Sequence, residues 1–380
     1  MTTAIPPMTT DAPPVTTTVP PVTTTIPPEP AQTPEVRRDT SAGRSADRVA
    51  VLGSLAAAIS FTWIIFTWIA PFDGVIGFAV ITYVLFLAVY AALVSLDETG
   101  PTIRDRVAAV AIRGIGALLL VTLGRIIWYT AAEGLGAALR PNFVTQDLSV
   151  TQQLDPLSVG GILHAMVGTL EQITIALAVV LPLGLTCAVF LTETRGAFTR
   201  FVRMVVEAMT ALPSIVAGLF VYAALILSLG VPTSGFAAAM AISVMMLPIV
   251  IRAADVVLRV VPGSLREASL ALGASAWRTT WHVVLPTARS GLATALILGT
   301  ARGLGETSPV LITAGFTTNL NLDPFSGPQV SLPLVTFNLV RSPHPHMVTR
   351  GFGAAAVLMV VVVVLFFVGR LVGRNRKGSK

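Results

Sequence analysis

Lysine is nearly missing from this chain. Among 380 residues only Lys377 and Lys380 are lysines, both within the last four positions. That excludes a phosphate-binding loop of the G-x4-G-K-[S/T] kind, whose lysine must reach the β and γ phosphates. The chain is therefore expected to bind no nucleotide, and ATP hydrolysis, if it drives anything here, belongs to another polypeptide. Cysteine is as scarce: Cys187 stands alone inside an apolar run, so no intrachain disulfide and no zinc cluster can form. Neither a G-x-S-x-G elbow nor an H-E-x-x-H pair occurs. His344-Pro345-His346 reads as a hydrated loop rather than a metal pair. No catalytic residue, metal, cofactor or nucleic-acid partner is expected. Charge is thin as well, at 12 % of residues against roughly 25 % in an average soluble domain. With 54 % hydrophobic residues and a mean hydropathy of +0.80, the chain lacks the polar surface to cover a water-facing exterior. Lipid must be its solvent.

What is present divides into a tail and a set of long apolar runs. Residues 1–48 carry proline pairs beginning at Pro6, Pro13, Pro20 and Pro27, with threonine filling most of the gaps. Proline lacks an amide donor and threonine builds no core, so this segment reads as a disordered, polyproline-like tether. Eight runs then meet the roughly 20-residue length of a spanning helix: about 49–70, 75–96, 110–132, 164–191, 207–229, 235–257, 288–314 and 352–372. The expected fold is an all-α polytopic membrane protein. Arginine and lysine set its orientation. With the N-terminus cytoplasmic, 19 of the 25 cations fall on the inner side. Only Arg140, Arg341 and Arg350 fall outside, and Arg125, Arg252 and Arg302 fall within spans. Both termini are expected inside, the last eight residues 373–380 forming a basic tail.

One inner loop, about 258–288, is long and has internal order. Pro262-Gly263 breaks the preceding span, and Ser264 with Glu267 three residues later has the spacing of a capping box, which predicts a helix from Leu265. Leu265, Ala268 and Leu272 share a face, and Gly273 is placed to end the helix in a left-handed turn. A second piece carries Trp277, Arg278, Trp281 and His282, after which Pro286 is read as opening the next span. An exposed apolar face on such a helix serves either a protein partner or the lipid interface.

Charges inside spans cost about 2.5–3.5 kcal/mol each on insertion scales, so they point to a function or a partner. Arg302 and Glu306 lie four residues apart, so one expectation is a self-neutralising pair; the other places Arg302 beside an oxyanion pathway with Glu306 holding it. Ala295, Gly299 and Gly303 make a small-residue stripe for close helix approach. Arg252 is the second pathway candidate, or else an anchor paired with Asp255. Arg125, near Trp128 and Tyr129, reads as snorkelling to the boundary.

Several segments carry a resemblance. Glu267-Ala268-Ser269, three residues, Gly273, nine residues, then Val283-Val284-Leu285-Pro286 resembles the E-A-A-x3-G-x9-I-x-L-P loop of bacterial ABC importer permeases, with serine for alanine and valine for isoleucine. Leu181-Pro182-Leu183-Gly184, Leu191-Thr192-Glu193, Pro213-Ser214-Ile215-Val216-Ala217-Gly218-Leu219 and Ala301-Arg302-Gly303-Leu304-Gly305-Glu306-Thr307-Ser308-Pro309 are similar to segments of the phosphate-specific permeases. Ser331-Leu332-Pro333-Leu334 favours their PstA type over PstC. The resemblance spans about 105–372, and implies a six-span permease core at 107–372, with two additional helices at 49–106 outside the usual pattern. It further implies a PstC-type permease partner, two copies of a PstB-type ATPase, and an extracytoplasmic phosphate-binding protein. ATPase coupling would run through 264–282, with Glu267, Ala268, Gly273, Trp277, Leu285 and Pro286 as its residues, and Arg302, Glu306 and Arg252 would line the substrate pathway. Sulfate- or molybdate-type permeases usually show G-E-F-G where this chain has Gly305-Glu306-Thr307-Ser308. The more distant alternative is an ATP-independent secondary transporter or channel.

Overall fold

The computed structural model describes residues 45–69, 74–96 and 100–373. The tether reading of 1–48 and the basic tail at 373–380 therefore fall almost wholly outside the described residues. Every regular element among the described residues is a helix. In chain order they are α1 (Ser45–Ile64), α2 (Val75–Ser95), α3 (Gly100–Ala138), α4 (Pro141–Thr145), α5 (Leu163–Glu193), α6 (Ala197–Thr210), α7 (Ser214–Val221), α8 (Gly235–Val260), α9 (Gly263–Ala271), α10 (Ala276–Thr279), α11 (Leu285–Leu304), α12 (Ser308–Thr313), α13 (Leu332–Val340) and α14 (Pro345–Gly373). Short π-helical turns extend α1 through Ile69, extend α7 through Ser228, and join α10 to α11. Among the described residues seven helices are long and apolar enough to cross a membrane, or eight if the bent α6–α7 pair counts as one crossing. The protein is a multi-pass membrane protein.

The described residues pack as two units, divided between Ala117 and Leu118. In the first, α1 and α2 form a hairpin. Leu and Val alone cannot drive helices together in lipid, because the tails are as apolar as the side chains; polar links and close packing do it. Arg106 donates to Asp47 at 2.6 Å, and the Tyr83 hydroxyl donates to the Ala111 carbonyl at 2.8 Å. Gly114 leaves room for the Tyr83 ring, which would lie 3.0 Å from an added Cβ.

The second unit is organised around α8. Of its apolar window 56 % is buried, against 6 % for α3, so α8 runs through the interior. Alanine dominates its inward positions, with Ala237, Ala238, Ala239, Ala241 and Ala254 fully buried. Small faces allow the neighbours to come close: Gly184 of α5 meets Val250, and Gly299 and Gly303 of α11 meet Val250 and Met246. An added Cβ at Gly303 would sit 2.5 Å from the Met246 sulfur. The stripe read from the sequence is thus the seam between α11 and α8. Gly134 of α3 is pressed in the same way against the Phe352 backbone of α14.

The third and eighth expected spans sit inside longer helices, Gly100–Ala138 and Pro345–Gly373, and two others are broken or displaced. The fifth, 207–229, is broken: α6 and the α7 segment meet at a bend of 108°. Pro213 lacks an amide and pushes Leu212 out of helical geometry, so the chain turns there. Ser214–Ser228 has 15 residues and is about 22 Å long, short of the roughly 30 Å hydrocarbon core. The seventh, 288–314, starts earlier and stops earlier. Its helix runs unbroken from Ala276 to Leu304, breaks at Gly305–Thr307, and resumes as α12. Pro286 does not open it. Thr280–Val284 widens to a π turn just before the proline, which accommodates the missing donor without ending the helix.

Candidate functional site

The loop after α8 is a two-piece helical unit. α9 begins one residue before the expected N-cap: Pro262 holds the N-cap position and no side chain caps the helix, so the Ser264–Glu267 capping box does not form. The capping serine is Ser275, whose hydroxyl accepts from the Arg278 amide at 3.4 Å and starts α10. Gly273 acts as expected. Its φ is +82°, its amide donates to the Leu270 carbonyl at 2.9 Å, and the Ala274 amide donates to Ser269 at 3.2 Å. These two bonds make a Schellman turn, which needs a left-handed residue at its corner. The Ser269 and Thr279 hydroxyls, 2.8 Å apart, tie α9 to α10. Arg266 fixes the unit to the bundle through the Leu258 carbonyl at 3.0 Å and the Glu193 carboxylate at 3.3 Å.

The outer edge of this unit is left bare. Leu272 is 90 % exposed and Trp277 69 %, with Leu265 and Trp281 also exposed; the two tryptophans meet edge-on at 5.4 Å. Glu267 and Ala268 are exposed, and Pro286 is too, while Leu285 is half-buried. Of the six residues expected to carry coupling, Glu267 and Ala268 lie on α9, Gly273 in the turn after it, Trp277 on α10, and Leu285 and Pro286 at the start of α11.

Arg302 and Glu306 do meet. Arg302 Nη2 lies 2.8 Å from Glu306 Oε1. The pair is unequal, however: the carboxylate side chain is 4 % exposed and the guanidinium side chain 49 %. Glu306 is not on the Arg302 helix but in the break after it, where its amide donates to the Gly303 carbonyl at 3.2 Å. The start of α12, just past the break, packs against another segment singled out from the sequence. Gly218 of α7 faces Pro309, whose Cα would lie 2.7 Å from an added Cβ. The P-S-I-V-A-G and G-E-T-S-P stretches are thereby brought together.

Arg252 behaves differently. It is exposed and makes no ion pair among the described residues. The expected Arg252–Asp255 anchor does not form. Asp255, buried at 6 %, instead accepts from Arg203 and Arg259, each at 3.0 Å, and from the Thr192 hydroxyl at 3.0 Å. Three donors compensate the cost of removing that carboxylate from water. The sequence signal for this cluster was a lone acid in an apolar span with an arginine four residues on. Arg350, counted from the sequence as a loop cation, is fully buried. Its Nη2 donates to the carbonyls of Asp155, Pro156 and Val159 at 3.2, 2.8 and 2.8 Å, clamping the segment that precedes α5. Backbone acceptors nearly 200 residues away leave no trace in sequence spacing.

Residues 180–377 match the family model for the binding-protein-dependent transport system inner membrane component. The chain belongs to this family. It is 39 % identical over 241 residues to the phosphate transport system permease protein PstA 1 of Mycobacterium tuberculosis, covering 63 % of this chain and 79 % of that one. It is 36 % identical to PstA of Mycobacterium leprae, over 63 % of this chain and 80 % of the relative. Among solved structures, an inward-facing MetNI methionine ABC transporter matches 56 % of this chain and 93 % of its own, with 20 % identity and a TM-score of 0.43. Permeases of this family work within transporters of several subunits, and the chain is a permease subunit.

Proposed function

We propose that the chain is the PstA-type permease of an ATP-driven importer for inorganic phosphate. It forms half of the translocation pathway beside a PstC-type permease and receives phosphate from an extracytoplasmic binding protein. ATP is hydrolysed by two copies of a PstB-type ATPase, one of which seats on the 264–282 unit. With the bent α6–α7 pair counted as one crossing, eight crossings leave both termini cytoplasmic; 107–372 is the permease core, and 49–106 adds two helices to it. The observation that carries this reading is the bare apolar edge of Leu265, Leu272, Trp277 and Trp281 on a unit held to the bundle by Arg266. A loop this firmly seated, with four large apolar groups in the open, fits a groove on a partner.

Arg302 is the pathway residue. Its guanidinium keeps donors to spare beyond the one Glu306 oxygen, and planar paired donors suit a tetrahedral oxyanion. Glu306 holds the arginine at the helix end. Arg252, exposed and without an ion pair among the described residues, is the second cation of the path. The test is uptake by the reconstituted four-component complex. Phosphate is expected to enter only with ATP and to be unaffected by a tenfold excess of sulfate. Equal competition by sulfate would reassign the substrate, and uptake without ATP would reassign the transporter to the secondary class.

A further inference from the structure

A second cationic site lies apart from Arg302, at the end of the bundle that carries the α9–α10 unit. There α5 ends, the chain turns through Gly196 at φ +141°, and α6 begins. An open cavity of about 680 Å³ is lined by Arg195, Arg200, Arg203 and Arg259 together with Thr194 and Thr199. Arg203 and Arg259 share the carboxylate of Asp255. Arg195 and Arg200 are exposed and have no ion pair among the described residues. One carboxylate against four guanidiniums leaves the basin strongly positive.

Two further features give it shape. The N-terminus of the 14-residue α6 opens here without any side-chain cap, so its first amides and the positive end of its dipole face the same space. On the other flank stands an aromatic wall. Phe198 stacks on Phe201 at 6.5 Å and meets Phe190 edge-on at 5.7 Å, with Phe198 67 % and Phe201 53 % exposed. A helix with arginines on one side and bare aromatics on the other suits the headgroup boundary of a bilayer. The 108° bend to α7 sets α6 across the direction of its successor, as such a position requires.

We propose that this basin binds a phosphate group, held by Arg195 and Arg200 with the α6 amides. Its source is the headgroup of an anionic phospholipid whose acyl chain lies against Phe198 and Phe201, or else free inorganic phosphate. The purified full-length chain, stripped of lipid, tests both. In one arm phosphatidylglycerol or phosphatidylcholine is added back and retention is counted by native mass spectrometry. In the other, labelled inorganic phosphate is measured by equilibrium dialysis. The variant is R195Q/R200Q, which spares Arg203 and Arg259 because their loss would strand the buried Asp255. Two guanidiniums near a surface are each worth enough that about a tenfold loss is expected, and the loss should shrink at high salt. Selective retention of phosphatidylglycerol, lost in R195Q/R200Q and weakened in F198S, establishes the lipid source. Phosphate binding that is lost in R195Q/R200Q and untouched by F198S establishes the free anion. Should R195Q/R200Q fold poorly, the single R195Q serves, with about a threefold loss expected. If neither probe distinguishes the variants from the parent chain, the proposal is overturned.

Discussion

Arg350 and Arg302 are both arginines of membrane-crossing helices, and their surroundings are opposite. Arg350 is fully buried and spends one guanidinium nitrogen on three backbone carbonyls. Arg302 is half-exposed and meets a single carboxylate oxygen. The first has its acceptors fixed by the fold, so it holds the chain in place, and its unpartnered Nε is buried with it. The second is oriented from one side and open on the other. An intramembrane charge is therefore informative only once its donors have been accounted for. A buried, clamped arginine is architecture; an exposed, oriented one is a place where an anion can arrive.

That contrast can be broken experimentally. Arg350→Met should have the largest effect. It removes three charge-assisted bonds and leaves three buried carbonyls unmatched, a loss on the order of 4 kcal/mol. Thermal unfolding of the purified chain should register it, and an unchanged transition would return Arg350 to the loop cations. Arg302→Gln should act in the other currency, with uptake falling at least a hundredfold. It also strands the buried Glu306, at about 1–3 kcal/mol. The double variant R302Q/E306Q should recover that stability but not the uptake; recovery of uptake would make the pair purely structural. Gly273→Val places a β-branched residue at positive φ, at a cost of about 1–2 kcal/mol. It should leave the spans folded while reducing coupled ATP hydrolysis several-fold, and full coupling would remove the Schellman turn from the docking surface.

The smallest expected effect concerns Asp147, in the loop before α5. Its carboxylate accepts from the Ser149 hydroxyl at 2.6 Å, the Ser149 amide at 3.1 Å and the Leu320 amide at 3.0 Å. The Ser149 bond chiefly, and the backbone bonds after it, hold its pKa below the ordinary 3.8. A depressed folded pKa adds stability that is complete above the unfolded value and is lost as pH falls through the folded one. Asp147→Asn should therefore lower stability at neutral pH and flatten the acid limb of unfolding below about pH 4, where parent and variant converge. An identical acid limb would show that the Asp147 carboxylate does not hold these bonds, the Ser149 one first, in solution.

Much of the bundle was legible because spanning helices announce themselves by length and apolarity, and the Ala295–Gly299–Gly303 seam by its spacing. Gly273 was legible for a local reason, since a left-handed corner almost demands glycine. The failures were also local rules, overridden by neighbours. Ser264 has the right spacing for a cap, but Pro262 already sets extended backbone and the helix starts at once. Ser275, with no glutamate behind it, gave a weaker signal and is the working cap. Pro286 is a good helix opener in isolation, yet a π turn absorbs it inside a longer helix. Pro213 was hidden inside a run apolar enough to pass for one straight span. Within the candidate site, the Arg302–Glu306 spacing foretold their meeting but not its asymmetry. That asymmetry comes from the helix ending between them, which a four-residue rule does not see. Asp255 chose Arg203 over Arg252 because α6, folded back by the bend, brings Arg203 alongside.

The unbroken helix from Ala276 to Leu304 joins two regions that the sequence treats as loop and span. Trp277 and Arg302 are mounted on the same rod, 25 residues or about 38 Å apart. A stiff shaft of this kind delivers a push or twist at one end to the other, with little dissipated along the way. The π turn at Thr280–Val284 is where that shaft has slack, because one residue more or less can be wound into it. Whatever seats on the tryptophans therefore has its hand on the arginine, through a coupling whose tightness is set by five residues beside Pro286.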